Sequence, residues 1–419
     1  AHSETTLRLR PMLAFRDKHS LSKANMEADG RAYPITAGVK CRLYEGFPWL
    51  HMQLDKTDSE FIAAPDWYYN FEYQKELRRG YEGHEDLLTT GYFEFKIKKG
   101  ESVIFSAATD MMATAETITE VYEASLARRT HKIDFLSCLQ HSARQFVIRR
   151  GAGRAEVIAG YPWFGSFMED TFMALPGLTL SQGYKEDCID VLDTMVADMH
   201  NGDFAGSASA EVAADAPLWF FWTLQQLESH IGAKSVWEKY GEAMKSILSA
   251  YRKGFFGGCV ALHSNGLIWA AREGYALTWM NSVVNGTPQT PRAGYTVEIN
   301  ALWYNAVCYT LELAKKCGDK EFAAEWKNLP KQIKQAFNEC FYLTEEGYLA
   351  DYVDLRGADK AVRCNQIIAC GLPYTMLDEE QIVNIMLISR QHLLTPHGLR
   401  SLSPEDARFE ATYKENPIE

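Results

Sequence analysis

A single change of period constrains this sequence most. Up to about residue 110 apolar and polar side chains alternate, and from about Glu116 the apolar ones recur every three to four residues. Alternation puts neighbours on opposite faces of a strand, whereas a 3.6-residue repeat lines one stripe of a helix. The chain therefore reads as a β part followed by a helical part. Val39-Lys-Cys-Arg-Leu-Tyr44 alternates, and so does Gly91-Tyr-Phe-Glu-Phe-Lys-Ile-Lys98, with Ser102-Val-Ile-Phe-Ser106 beyond it. This predicts a hairpin turning at Lys99 and Gly100, within an antiparallel β-sandwich.

The helical part has a rhythm. After segments at 116–128 and 132–147, helices are predicted near 169–182, 185–200, 215–231, 234–253, 296–316, 319–341, 364–374 and 378–392. Short links at Gly183-Tyr184, Gly232-Ala233, Gly318 and Leu377 alternate with long ones at 148–168, 201–214, 254–295, 342–363 and 393–419. Short links make antiparallel pairs, so the long loops gather at one end of a toroid. Tyr161-Pro-Trp-Phe-Gly165, Leu267-Ile-Trp-Ala270, Leu277-Thr-Trp-Met280 and Thr395-Pro-His-Gly-Leu-Arg-Ser401 all lie in the long loops. Loops on a rigid scaffold carry function, so that end is the expected site. The count of about ten helices falls short of a closed ring of six pairs, and a barrel incomplete at its C-terminal end is expected.

Composition narrows the partner. A formal charge of −12 disfavours nucleic acid and anionic membranes, which need clustered Lys and Arg, and fits a neutral substrate. No apolar run reaches the ~20 residues that span a bilayer. No signal peptide is visible. Nine cysteines, an odd number without C-x-x-C spacing, fit free thiols in a reducing compartment, hence a cytoplasmic location. The absence of an initiator Met suggests a chain that starts inside a longer protein or after processing.

In their order, several segments resemble the glycogen-debranching, amylo-α-1,6-glucosidase family. They are Ala159-Gly-Tyr-Pro-Trp-Phe-Gly165, Asp170-Thr-Phe-Met-Ala-Leu-Pro-Gly-Leu178, Asp215-Ala-Pro-Leu-Trp-Phe-Phe-Trp222, Leu277-Thr-Trp-Met280, Thr290-Pro-Arg292, Val297-Glu-Ile-Asn-Ala-Leu-Trp-Tyr-Asn305, Asn365-Gln-Ile367 and Thr395-Pro-His-Gly-Leu-Arg-Ser-Leu402. Upstream, Leu9-Arg-Pro-Met-Leu-Ala-Phe-Arg-Asp17 and Asp66-Trp-Tyr-Tyr-Asn-Phe-Glu-Tyr73 look like that family's N-terminal part. The resemblance implies a β-sandwich over 1–115, linker helices over 116–150 and an (α/α)6 barrel over 151–419. It implies hydrolysis of the α-1,6-linked glucose left at glycogen branch points, with inversion by two carboxyl groups and no metal or cofactor.

The resemblance places the catalytic acid after Thr-Trp-Met, where this chain has Asn281. An amide is no general acid, so either Asn281 marks a lost acid or a neighbour serves instead. Where the family shows Trp-Gly-Arg-Asp, this chain has Phe167-Met-Glu-Asp170. Asp170 is expected as a sugar-hydroxyl ligand or a helix N-terminal charge, and Glu169 as a solvated first-turn acid. Glu298 is either a substrate contact or a plain first-turn acid. Arg292 either binds glucose hydroxyls or pairs with Glu298 to brace the loop. Asp215 is either an N-cap or a substrate ligand. Trp163, Trp269 and Trp279 are expected to stack on sugar, while Trp219 and Trp222 are core or platform. His397 is expected in a structural hydrogen bond. Asp66-Trp67-Tyr68-Tyr69 either packs between domains or binds glycan. No base is assigned.

Four functions stay open: an active α-1,6-glucosidase, a glucan-binding pseudoenzyme, a related exo-α-glucosidase of other linkage, and a protein-binding scaffold. The loop motifs count against the last.

Overall fold

The computed structural model describes residues 3–18, 20–78, 80–129, 131–200, 213–284 and 286–411. The chain divides into two compact units between His141 and Ser142. Most of the expected loop at 201–214, and the end of the loop expected at 393–419, lie outside the described residues.

Among the described residues the first unit holds seven strands: β1 (Thr5–Leu9), β2 (Tyr33–Ile35), β3 (Gly38–Cys41), β4 (Leu50–Leu54), β5 (Glu60–Glu72), β6 (His84–Ile97) and β7 (Phe105–Ala108). They form two antiparallel sheets, ordered β1-β6-β5 and β2-β3-β4-β7. Alternation explains the core: Val39, Cys41, Met52 and Leu54 from one sheet meet Leu88, Phe93 and Phe95 from the other in one buried cluster. Phe93 packs edge-on against Phe61 at 5.0 Å and Phe105 at 5.9 Å.

The hairpin expected around Lys99 and Gly100 does not form. β6 pairs with β1 and β5, while β7 pairs with β4, so residues 98–104 cross from one sheet to the other. Alternation cannot choose a strand's partner. Here Asp55 chooses it, accepting the Ile104 N–H at 2.8 Å and setting Leu54 opposite Phe105. β5 is irregular where its residues demand it. The ladder skips between Ala63 and Asp66, around Pro65, which has no N–H to donate. It skips again at Asn70, whose φ is +56° and whose N–H goes to Asp86 Oδ1 at 2.9 Å. Trp67 packs on the inter-sheet core and Tyr69 is exposed. Helix α1 (Gln74–Arg78) joins β5 to β6, helices α2 (Ala115–Ala127) and α3 (Phe135–Phe146) follow β7, and the division between units falls inside α3.

The second unit is helical: α4 (Met168–Leu178), α5 (Lys185–Ala197), α6 (Ala216–Ile231), α7 (Ala233–Lys253), α8 (Val297–Cys317), α9 (Lys320–Trp326), α10 (Leu329–Phe341), α11 (Gln366–Gly371) and α12 (Glu379–His392). The helix predicted over 319–341 is two, parted at Lys327 and Asn328. Pro330 sits in the first turn of α10, where its missing N–H costs nothing, whereas inside one long helix its ring would clash with the preceding turn. The long connections also carry short hairpins that the periodicity did not indicate, such as Val260–Leu262 with Ile268–Ala270.

Helices α4, α6, α8 and α11 are successive neighbours, with α5, α7, α9 and α10, and α12 as the intervening returns. α8 is buried nearly all round, from Val297 to Ala314, as a helix surrounded by others must be. Because each return helix brings the chain back, the N-termini of α4, α6, α8 and α11 point to one end of the unit. Among the described residues no helix is long and apolar enough to cross a membrane.

Candidate functional site

Four of those N-termini carry Glu169 and Asp170 (α4), Asp215 (α6), Glu298 (α8) and Asn365 (α11). A helix start concentrates unpaired N–H groups and the positive end of the dipole, which favours carboxylates there.

The centre is a buried charge cluster. Arg292 donates through its two terminal nitrogens to both oxygens of Glu298, one of these bonds being 2.6 Å. Its Nε donates to Asp351 Oδ2 at 2.6 Å, and Nη2 to the Asp351 carbonyl at 3.0 Å. The three side chains are 1%, 0% and 0% exposed, so the planar guanidinium is matched without help from solvent. Burial pulls the pKa of Arg292 down, but the charges and hydrogen bonds of Glu298 and Asp351 outweigh it and raise the pKa.

Local pairing brings the three together. The Tyr295–Thr296 strand lies against Tyr352–Asp354, and the Val297 N–H donates to the Asp351 carbonyl at 3.1 Å. The chain before it returns through Gly294, which exchanges two 2.9 Å hydrogen bonds with Ala270. Asp351 continues the cluster outward. Asn365 Nδ2 donates to its Oδ1 at 2.8 Å, and Trp279 Nε1 donates to Asn365 Oδ1 at 2.8 Å. Arg363 Nε stands 3.5 Å from Asp351 Oδ2.

Asp215 is fully buried beside this cluster. The Ala214 N–H donates to the Leu277 carbonyl at 2.7 Å, which ties Asp215 to the Trp279 loop. It occupies the N-cap position of α6, but its side chain makes no cap bond there. Instead Trp219 Nε1 approaches Oδ2 at 3.4 Å, and Oδ1 has no hydrogen-bond partner among the described residues. Burial, then the charge of Glu298, pushes the carboxyl up to about 7. Among the described residues Thr296 Oγ1 and Arg363 Nε, at the same end, are also buried without a hydrogen bond, although Arg363 stands near Asp351. Such orphaned polar atoms mark a place where water or a ligand is expected.

Asn281, two residues beyond Trp279, donates from Nδ2 to Glu169 Oε1 at 3.2 Å. Glu169 is therefore partly buried against a loop rather than a solvated first-turn acid. Successive helix residues point about 100° apart, and Asp170 faces elsewhere. It lines a cavity of about 380 Å³ with Phe146, Val157, Met173 and Leu178. Partial burial raises its carboxyl.

The tryptophans separate. Trp279 is held by Asn365, and Trp219 is buried beside Asp215 and edge-on to Trp222. Trp163 is exposed, next to a cis Tyr161-Pro162 bond. Trp269 stacks on His263 at 5.5 Å and stands edge-on to Tyr295. His397 donates its backbone N–H to Thr395 Oγ1 within a small hairpin. The structure thus gathers Asp215, Trp219, Trp279, Arg292 and Glu298, links Asn281 to Glu169, and leaves Asp170, Trp163 and Trp269 outside those contacts. Asp351 escaped the sequence reading, although an acid inside Tyr348-Leu-Ala-Asp-Tyr352, a mostly apolar run, was a signal. Among the described residues no group of three or more His, Cys, Asp or Glu is placed to hold a metal.

Residues 141–419 match the amylo-α-1,6-glucosidase family. The chain belongs to that family. Residues 1–104 match the glycogen debranching enzyme N-terminal family, so both units are accounted for. A relative, the glycogen debranching enzyme of Saccharomyces cerevisiae, is 26% identical over 36% of this chain and 12% of its own length. The chain thus spans a small fraction of that relative. Membership makes the helical unit a glycoside hydrolase domain of a family acting on glycogen-type α-glucan.

Proposed function

We propose that this chain is the glucosidase part of a glycogen-debranching system, removing α-1,6-linked glucose from α-glucan by inverting hydrolysis. The N-terminal sheets form its β-sandwich, over 1–115. Residues 116–150 act as linker helices, and 151–419 form an (α/α)6 toroid. The observation that carries this is the convergence of Asp215, Glu298 and Asn365, at the N-terminal ends of neighbouring helices, with Asp351, just before the Tyr352–Asp354 strand, around one arginine. Helices α4, α6, α8 and α11 are read as the inner ring, and the others as the outer one.

In this reading the Arg292–Glu298–Asp351 cluster is the floor that fixes the Trp279 loop. Asp215 and Asp170 bind glucose hydroxyls, and Trp163, Trp269 and Trp279 offer stacking faces. Inversion needs an acid and a base roughly 6.5–9.5 Å apart on opposite faces of the sugar. The base is left unassigned. A cytoplasmic location is part of the proposal and accords with nine free cysteines.

A second reading, a glucan-binding protein without turnover, is favoured by the amide at Asn281. Glucose release from phosphorylase-limit dextrin, with the anomer followed by proton NMR, separates the two. Release of β-glucose supports the hydrolase. Binding of the dextrin with no release supports the second reading.

A further inference from the structure

Asn and Asp are among the residues that most often cap a helix with their own side chain. Asp319 and Asp378 do so here, accepting the Phe322 N–H at 3.1 Å and the Gln381 N–H at 2.9 Å. Asn365 stands at the same position before α11 and makes no cap bond. Its amide turns instead to residues from other segments. Oδ1 accepts from Trp279 Nε1 at 2.8 Å, across 86 positions of sequence, and Nδ2 donates to Asp351 Oδ1 at 2.8 Å. Nδ2 also lies 3.5 Å from Met280 Sδ, so both residues of the Trp279-Met280 step meet one amide. An indole N–H only donates and a carboxylate only accepts, so the amide has a single orientation that satisfies both. Asp351 is itself buried and held by Arg292. The charged floor thus ends in Asn365, and Asn365 ends in the polar edge of Trp279, whose ring is only partly buried.

We propose that Asn365 is a positioning residue: it sets the plane of the Trp279 ring against a glucose unit of the bound glucan. The inference rests on the reading above in which Trp279 stacks on sugar. Asn365 is 0% exposed, so it acts on the glucan through Trp279 and not by contact. A ring tethered by its N–H cannot turn about its side-chain bonds without breaking that tether. The stacking face is therefore set before the sugar arrives, which removes an ordering cost from binding. A leucine at 365 fills similar space but releases the ring and leaves the indole N–H without its acceptor.

The test reads affinity for phosphorylase-limit dextrin by calorimetry, and KM against kcat by glucose release. Asn365→Leu is expected to raise Kd and KM about two- to thirteenfold, the worth of one ring contact, and to leave kcat unchanged. It should also move the Trp279 indole N–H resonance, which is identified by its absence in Trp279→Phe. In the Trp279→Phe background no N–H remains to be held, and Asn365→Leu should raise Kd no further. Asn365→Asp guards against a folding defect, since a protonated carboxyl offers the same acceptor and donor. Measured at low pH, it is expected to keep the wild-type Kd. Equal rises in Kd in both backgrounds, a fall in kcat at unchanged KM, or an unmoved indole resonance overturns the positioning role. A wild-type protein that binds no limit dextrin overturns the stacking reading of Trp279 itself.

Discussion

Arg292 and Glu298 meet in a two-pronged ion pair with almost no solvent access, and Asp351, 59 positions away from the arginine and just before the Tyr352–Asp354 strand, completes it. Desolvating three charges is costly, and only the fitted geometry offsets that cost. Removing one partner therefore strands the others. Arg292→Met is expected to destabilise the second unit by about 3–5 kcal/mol, read as a lower urea midpoint. Arg292→Met combined with Glu298→Leu should be less damaging than Arg292→Met alone, because one unpaired charge is gone. Additive losses would show that the pair is not coupled.

Asp215 gives a pH dependence of defined sign. Its carboxyl titrates near 7 when folded, because of burial and then Glu298, against about 3.9 when unfolded. Between those values the folded chain holds a proton that the unfolded chain has lost, so stability falls as pH rises from about 4 to 7. Asp215→Asn removes that slope. Urea unfolding should show the variant gaining on wild type between pH 5 and pH 8. A constant difference between them would refute the assignment.

Gly294 holds the strand approach that positions Arg292. Its φ is +118°, and a Cβ there would lie 2.4 Å from the Val353 carbonyl oxygen. Gly286, at φ +75°, has nothing within 4 Å of such a Cβ. Gly286→Ala should cost about 1–2 kcal/mol from backbone strain alone. Gly294→Ala adds a backbone clash to its strain and should cost clearly more. Thermal unfolding of the two variants side by side checks the order.

Trp163 is 39% exposed and lies in the loop before α4, where the proposed stacking role can be tested. Trp163→Ala is expected to weaken maltooligosaccharide binding by about 0.5–1.5 kcal/mol, roughly two- to thirteenfold, with an unchanged melting temperature. Calorimetric titration measures the first and scanning calorimetry the second. A fall in melting temperature at unchanged affinity would make Trp163 a packing residue.

The sequence by itself determined the long helices of this protein. Periodicity is written locally, and so the 3.6-residue repeat placed α6 at Ala216–Ile231 and α8 at Val297–Cys317 within a residue or two of expectation. It also indicated which loops hold the unusual side chains, because the alternation of short and long links is a property of spacing alone. Resemblance put Asp215, Arg292, Glu298 and Asn281 forward by name. Partnership was decided only by tertiary structure. Nothing local distinguishes a β7 that pairs with β6 from one that pairs with β4, and it took Asp55, 49 positions before Ile104, to settle that. Likewise Asp351 joins Arg292 only because Tyr295–Thr296 lies against Tyr352–Asp354, and Glu169 meets Asn281 only because α4 starts beside the Trp279 loop. Hydrogen bonds and ion pairs act over a few ångströms, whatever the separation along the chain. The site's chemistry therefore became definite only once the fold had brought distant residues to that range.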